Sequence, residues 1–258
     1  MKRLWILGNG PTLQKVDMNL LGGEEVWVLN RFHLLQEVNP HYVEPTRWWW
    51  MDNPFDRQQW AELGELINTG KPMFVRHDLV ANALSQGLVK VPFNSNLTAV
   101  LHDSGKQWEN SSIDYYRQNG LGFPRWELKP NDHKWLSPCR GDFPNVYPHL
   151  VWRFLNSIAV LLQAAALDGY KEIYLMGCDG GFKNMQDAHF HPNYYPEDYK
   201  LYSGIGEAEN ESIRVTHVFA RELYGRMGIE CFNANPDGLG EIEVWPRTDY
   251  REVINGRG

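Results

Sequence analysis

The chain has 258 residues and a mass of 30.0 kDa, enough for one α/β domain that buries about three-quarters of its unfolded surface. A net charge of −7, with no run of Lys or Arg, argues against nucleic acid or an anionic membrane as partner. Three cysteines (Cys139, Cys178 and Cys231) are too few and too irregular for a disulfide framework or a zinc knuckle. No stretch approaches the ~20 apolar residues of a membrane span. Met1-Lys2-Arg3 leads directly into a run too short for a signal-peptide core, so a cytoplasmic location is expected.

In chain order, residues 4–7 (Leu-Trp-Ile-Leu) form a short apolar run that stops at Gly8-Asn9-Gly10-Pro11-Thr12, the pattern of a buried strand and its turn. A short helix fits before Gly22-Gly23. Residues 26–29 and 48–51 read as two further strands, 57–67 as a helix and 71–75 as a fourth strand. From 77 to 148 the periodicity dissolves into turn residues and scattered aromatics, the mark of an irregular functional insertion. Ser157 opens the clearest helix, Ala- and Leu-rich and apolar nearly all round, so it is expected to be buried. A strand at 173–176 ends in Gly177-Cys178-Asp179, a lid-like loop spans about 180–210, and a helix from about 211 to 227 precedes a last strand at 230–233.

Alternating strands and helices predict a mostly parallel sheet with helices on both faces, as one domain over 1–258. Ligands of such sheets bind beyond the carboxyl ends of the strands, where Asn9, Asn30, Asn53, Asp179 and Asn233 all fall. The Gly8–Thr12 turn is either a structural strand-to-helix connection or an anion cradle made by its free N–H groups. It is not the dinucleotide fingerprint, because Leu13 stands where a third glycine belongs. The asparagines suit base and ribose recognition, since each carries donors and an acceptor, although a loop asparagine also simply forms turns. Asp179 lacks a second carboxylate at metal-binding spacing, so a hydrogen-bonding or capping role is preferred and no metal site is expected. His189 and His191, two residues apart on an extended segment, are candidates for a general base. With Asp187 they also fit part of a metal set, or they are loop histidines without a catalytic role. Tyr194, Tyr195, Tyr199 and Tyr202 follow and suit a phosphate or a sugar ring, whereas His217 sits inside a predicted helix and reads as structural.

Taken together, these residues resemble a family: the bacterial sialyltransferases that decorate lipooligosaccharides using CMP-activated sialic acid. That family carries Gly-Asn-Gly-Pro-Ser-Leu after its first strand, and Gly8 to Leu13 reads Gly-Asn-Gly-Pro-Thr-Leu. Its Asn-Gln-Phe is matched by Asn30-Arg31-Phe32, its Tyr-Asn-Pro by Asp52-Asn53-Pro54, and its Ser-initiated helix by Ser157. Its Gly-Tyr-Lys-Glu-Ile-Tyr-Leu-x-Gly-x-Asp string recurs from Gly169 to Asp179. The resemblance implies a Rossmann-like, GT-A-like sialyltransferase variant with a lid, and an inverting, metal-independent transfer to a glycan hydroxyl. The CMP-sugar would be donor substrate and no cofactor is implied. By position, Gly8, Asn9, Gly10, Pro11, Thr12, Asn30, Arg31, Asn53, Ser157, Gly177 and Asp179 inherit nucleotide-sugar contacts. His191 is the first choice of base, with His189 the alternative and Tyr195 assisting the leaving phosphate.

The sequence also departs from the family. Gly181 stands where the family has a tyrosine, and Glu207, Glu209, Asn210 and Glu211 occupy the region of its catalytic histidine. Some of the motifs are shared with a broader family that includes proteins similar to 6-hydroxymethylpterin diphosphokinase and flagellin-glycosylation factors. Two alternatives therefore stand: an ATP-dependent pyrophosphoryl transferase, and a non-catalytic nucleotide-binding module. Expected partners are a nucleotide-sugar donor and a glycan acceptor, and a homo-oligomer is compatible with the sequence.

Overall fold

The computed structural model describes residues 3–89, 96–100, 145–147, 157–180, 188–196, 206–236 and 243–256. The chain divides into two compact units, Met1–Trp49 with Ala164–Gly258, and Trp50–Gln163. It enters the second unit within strand β3 (Arg47–Trp50) and leaves it within helix α4 (Ser157–Leu167).

The first unit is built on β1 (Arg3–Leu7), β2 (Val26–Leu29), β3, β7 (Glu172–Met176) and β8 (Glu230–Asn233), in the spatial order β3-β2-β1-β7-β8. All four pairings between these neighbours are parallel, with Leu7 in register with both Val28 and Met176. Leu4, Trp5, Ile6 and Leu7 are all buried, and so are Val26 to Leu29. Successive side chains of a strand point to opposite faces, so both faces of this sheet are covered, as a parallel α/β sheet requires. The architecture is thus α/β and Rossmann-like. Its tryptophans are core: Trp5, Trp27, Trp48 and Trp49 have almost no exposure, and Trp27 packs edge-on against Tyr170 at 5.3 Å between centroids. After β1 the expected short helix is two single-turn 3-10 segments, Pro11–Lys15 and Met18–Leu21, the second capped by the Asp17 side chain. The unit also holds α1 (Leu35–Val38), α5 (Gly206–Met227) and α6 (Tyr250–Asn255). Cys178 and Cys231 are buried, unbridged thiols, and Cys139 lies outside the described residues.

The second unit contains α2 (Arg57–Asn68), β4 (Met73–Arg76), α3 (His77–Ser85), β5 (Leu97–Val100) and β6 (Asn145–Tyr147). Strands β4, β5 and β6 pair in parallel in that order. Asp56 caps α2 by accepting from the Gln59 backbone N–H at 2.8 Å. The stretch read as irregular from residue 77 therefore opens with a helix and holds two strands. Helix α3 escaped the sequence pattern because it leaves β4 with no turn residue between them, and its N-cap, Arg76, makes no side-chain cap. Most of 101–156 lies outside the described residues. Among the described residues, no helix is long and apolar enough to cross a membrane.

Candidate functional site

Because β1, β2, β7 and β8 run parallel, their carboxyl ends share one edge of the first unit. Strand β1 has β2 on one side and β7 on the other, so the strand order reverses there. This is the topological switch point at which open α/β sheets form a ligand crevice. The turns after β1, β7 and β8 meet at it.

The turn after β1 is closed by its own chain. Thr12 donates from its backbone N–H to Asp179 Oδ2 at 2.9 Å and from its hydroxyl to Asp179 Oδ1 at 2.7 Å. Asn235 Nδ2 donates to the same Oδ1 at 2.9 Å, while Asn235 Oδ1 accepts the Gly177 N–H at 2.7 Å. Asp179 is thus the anion at the start of the first 3-10 turn, where the N–H groups of such a turn were expected to meet a phosphate. The glycines serve this contact. A Cβ on Gly10 would lie 2.2 Å from Asp179 Oδ2, and one on Gly8 would lie 2.2 Å from the Gly177 carbonyl oxygen. Pro11 occupies the first turn of the 3-10 segment, where no N–H is needed.

Asp179 experiences opposed effects. Burial pushes its carboxyl above the usual range, against the pull of the bonds from the Thr12 backbone, the Thr12 hydroxyl and Asn235. With the folded value above the unfolded value of about 3.9, its contribution to stability is present below that pH. The contribution is lost as pH rises through the folded value. Urea titrations from pH 4 to pH 7 should therefore show the wild type losing stability relative to Asp179→Asn as pH rises. A constant difference between the two proteins would contradict this.

Asn9 and its neighbours form the second part of the site. Its Nδ2 donates to the Leu29 carbonyl at 3.3 Å and to the Tyr194 hydroxyl at 2.7 Å. A backbone carbonyl only accepts, so this contact fixes which end of the amide is nitrogen. Asn9 Oδ1 is then left buried with no hydrogen-bond partner among the described residues. Such an atom costs about 1–3 kcal/mol if nothing ever reaches it. Asn30, after β2, is the only non-glycine among the described residues with positive φ, at 43°. Asparagine adopts that conformation more readily than other L residues because its short polar side chain can hydrogen-bond locally. Its N–H donates to the Trp49 carbonyl, and its own carbonyl accepts from Trp48 Nε1 at 2.8 Å.

Residues 188–196, the described part of the expected lid, are tied to these turns. The Phe190 N–H donates to the Asn9 carbonyl at 2.8 Å, and Gln14 Nε2 donates to the Phe190 carbonyl. Arg31 NH1 donates to the Asn193 carbonyl at 2.9 Å and to the Tyr194 carbonyl. Two predicted bases behave differently. His191 is buried, its Nδ1 accepts the Asn193 N–H at 3.1 Å, and its Nε2 faces Glu37 Oε2 at 3.2 Å. Both ring nitrogens have partners, Nδ1 within its own segment and Nε2 on the exposed Glu37 carboxylate. His189 is half-buried, its ring stacks on Tyr194 at 3.8 Å, and its Nε2 meets the Tyr195 hydroxyl at 3.0 Å.

Asn53 and Ser157 belong to the second unit. Asn53 is exposed and its Oδ1 accepts from Arg76, whose guanidinium also bonds Asp78 at 2.6 and 2.8 Å and the Met51 carbonyl at 2.9 Å. The Ser157 hydroxyl donates to Asp52 Oδ1 at 2.8 Å. Of the other residues singled out, Asn233 Oδ1 accepts the Asn235 N–H at 3.1 Å and so supports its neighbour. His217 is fully buried, accepts from Trp245 Nε1 at 2.9 Å, and is pushed down to about 3 by burial, so it is a neutral core histidine. Sequence reasoning missed Asn235, whose signal was its place two residues beyond Asn233 at the end of the last strand. Asp187, Tyr199 and Tyr202 lie outside the described residues.

No family model matches the chain, and no curated protein matches it. Among solved structures, the chain is similar to the sialyltransferase CstII from Campylobacter jejuni in complex with the substrate analogue CMP-3FNeuAc. Identity is 15%, with 96% of this chain and 86% of that chain covered and a TM-score of 0.46. It is also similar to the sialyltransferase CST-II in complex with a trisaccharide acceptor and CMP, at 15% identity, with 96% and 92% covered and a TM-score of 0.41.

Proposed function

We propose that the chain is a glycosyltransferase that moves an acidic, sialic-acid-like sugar from a CMP-activated donor to a glycan hydroxyl, with inversion and without a metal. The observation that carries this reading is the Asn9 amide beside the switch point. Its nitrogen is held by Leu29 and Tyr194, and its carbonyl oxygen is buried without a partner among the described residues. A fixed acceptor of this kind calls for a ligand N–H or O–H, which the base and ribose of a nucleoside supply. The ordered motifs of the sequence supply the specific class, since Asn9, Asn30, Asn53, Ser157 and the Gly169–Asp179 string each fall where the CMP-sialic acid enzymes carry theirs.

For the base, the geometry favours His189 over His191. The His189 imidazole is partly accessible and already has a hydroxyl at Nε2, the position an acceptor hydroxyl would take. In the step proposed, Nε2 takes the acceptor's proton as its oxygen attacks the anomeric carbon. The bond from that carbon to the CMP phosphate oxygen breaks, and CMP leaves with the electron pair. The Tyr195 hydroxyl, displaced from Nε2 by the acceptor, then hydrogen-bonds the departing phosphate. The bonds that hold Asp179 to Thr12 support a different role for the glycine turn, as a brace between β1 and β7.

A thermal-shift panel of CMP, CDP, UDP, GDP, AMP and ATP, each with and without EDTA, tests the reading. A ligand at a hundred times its dissociation constant adds about 2.7 kcal/mol of stability. CMP and CDP should stabilise selectively, indifferent to EDTA, and Asn9→Ala should abolish the shift. Stabilisation by ATP alone, lost in EDTA, would instead favour pyrophosphoryl transfer.

A further inference from the structure

Arg31 stands where the similar family carries glutamine, and its surroundings set it a task that contact with a donor does not explain. It is 5% exposed in the turn after β2. One guanidinium nitrogen, NH1, donates to two successive backbone carbonyls, those of Asn193 and Tyr194. The guanidinium also lies 5.8 Å from the centroid of the Tyr194 ring. Tyr194 is the junction of the site: its hydroxyl accepts from Asn9, and its ring stacks on His189 within 15° of parallel. A planar guanidinium that bonds the Tyr194 backbone and lies against the Tyr194 ring sets where that ring lies, which a compact ammonium or a shorter glutamine does less well.

We propose that Arg31 is a positioning residue that latches segment 188–196 onto the turn after β2 and, through Tyr194, holds the His189–Tyr195 pair in its working place. Other tethers hold the first half of the segment: Phe190 to Asn9, and His191 to Glu37. Arg31 grips the Asn193 and Tyr194 carbonyls from outside the segment, whereas His191 holds the Asn193 and Tyr194 N–H groups from within it. The kinetic arm of the test rests on the transferase reading, and the exchange arm does not.

The experiment is hydrogen exchange by mass spectrometry on Arg31→Met, which keeps the bulk of the side chain and removes its donors. Exchange over 188–196 should speed up by about tenfold or more, while β1 and β7 exchange as in wild type. In transfer assays kcat should fall by about tenfold to a hundredfold, with the donor KM changed less than about threefold, because Leu29 still fixes the Asn9 amide. Arg31→Lys, which retains one donor group and the charge, should fall between the two and decides the matter if Arg31→Met does not fold. Wild-type exchange over 188–196 would overturn the proposal. So would equal acceleration in β1 and β7, which would make Arg31 a general core residue. If the wild-type protein transfers no sugar, the exchange pattern still decides the latch, and it is the transferase reading that fails.

Discussion

Gly8→Ala should destabilise the first unit by about 3 kcal/mol, near the upper end of what a single methyl usually costs in a packed site. The new Cβ would sit 2.2 Å from the Gly177 oxygen, 2.7 Å from its carbonyl carbon and 3.1 Å from Cys178 Cα. All three are backbone atoms of the turn after β7, so no rotamer change can relieve the contact. Relief requires separating the two turns. That would stretch the bonds from the Gly8 N–H to the Met176 carbonyl and from the Gly10 N–H to the Gly177 carbonyl, now 2.8 and 2.7 Å. Gly23→Ala is the comparison. There φ is +81° and a Cβ would meet nothing within 4 Å, so only backbone strain of about 1 kcal/mol is expected. Urea denaturation of both variants measures the difference. Equal losses would show that β1 and β7 do not approach this closely.

His189→Ala should lower kcat by about 10²- to 10⁴-fold, the range a general base contributes, with the folded state intact. His191→Ala should do the reverse. The ring is buried and both of its nitrogens already have partners, so the loss should be in stability, with kcat falling less than about tenfold. Circular dichroism melts and kcat on purified acceptor glycan separate the two outcomes. If His191→Ala abolishes turnover and His189→Ala leaves it, the assignment of the base is inverted.

How much of this was legible in the sequence depended on the kind of interaction. Residues 26–29 and 230–233 were read as strands and are β2 and β8. The helix opened by Ser157 runs from that residue to Leu167, buried through most of its length. These signals are local. A strand covered on both faces must be a continuous apolar run, and a buried helix must be apolar all round. The 3-10 segments after Gly10 were read as a short helix, since nothing local distinguishes a tight single turn from an α turn that fails to propagate. Helix α3 was hidden because it follows β4 without a break and has no side-chain cap.

The candidate site divides along the same line. By itself, the sequence determined that polar residues would stand at the ends of parallel strands, because turns must follow apolar runs and those turns carry Asn9, Asn30, Asp179 and Asn233. Only the tertiary structure decided which partners those residues take. Thr12 and Asp179 are 167 residues apart, and Asn9 and Tyr194 are 185 apart. Their meeting follows from the register of β1 between β2 and β7, which no local pattern encodes. The same register makes Gly8 and Gly10 a close-packed joint against the turn after β7, and beside it Asn9 Oδ1 is a buried acceptor with no partner among the described residues.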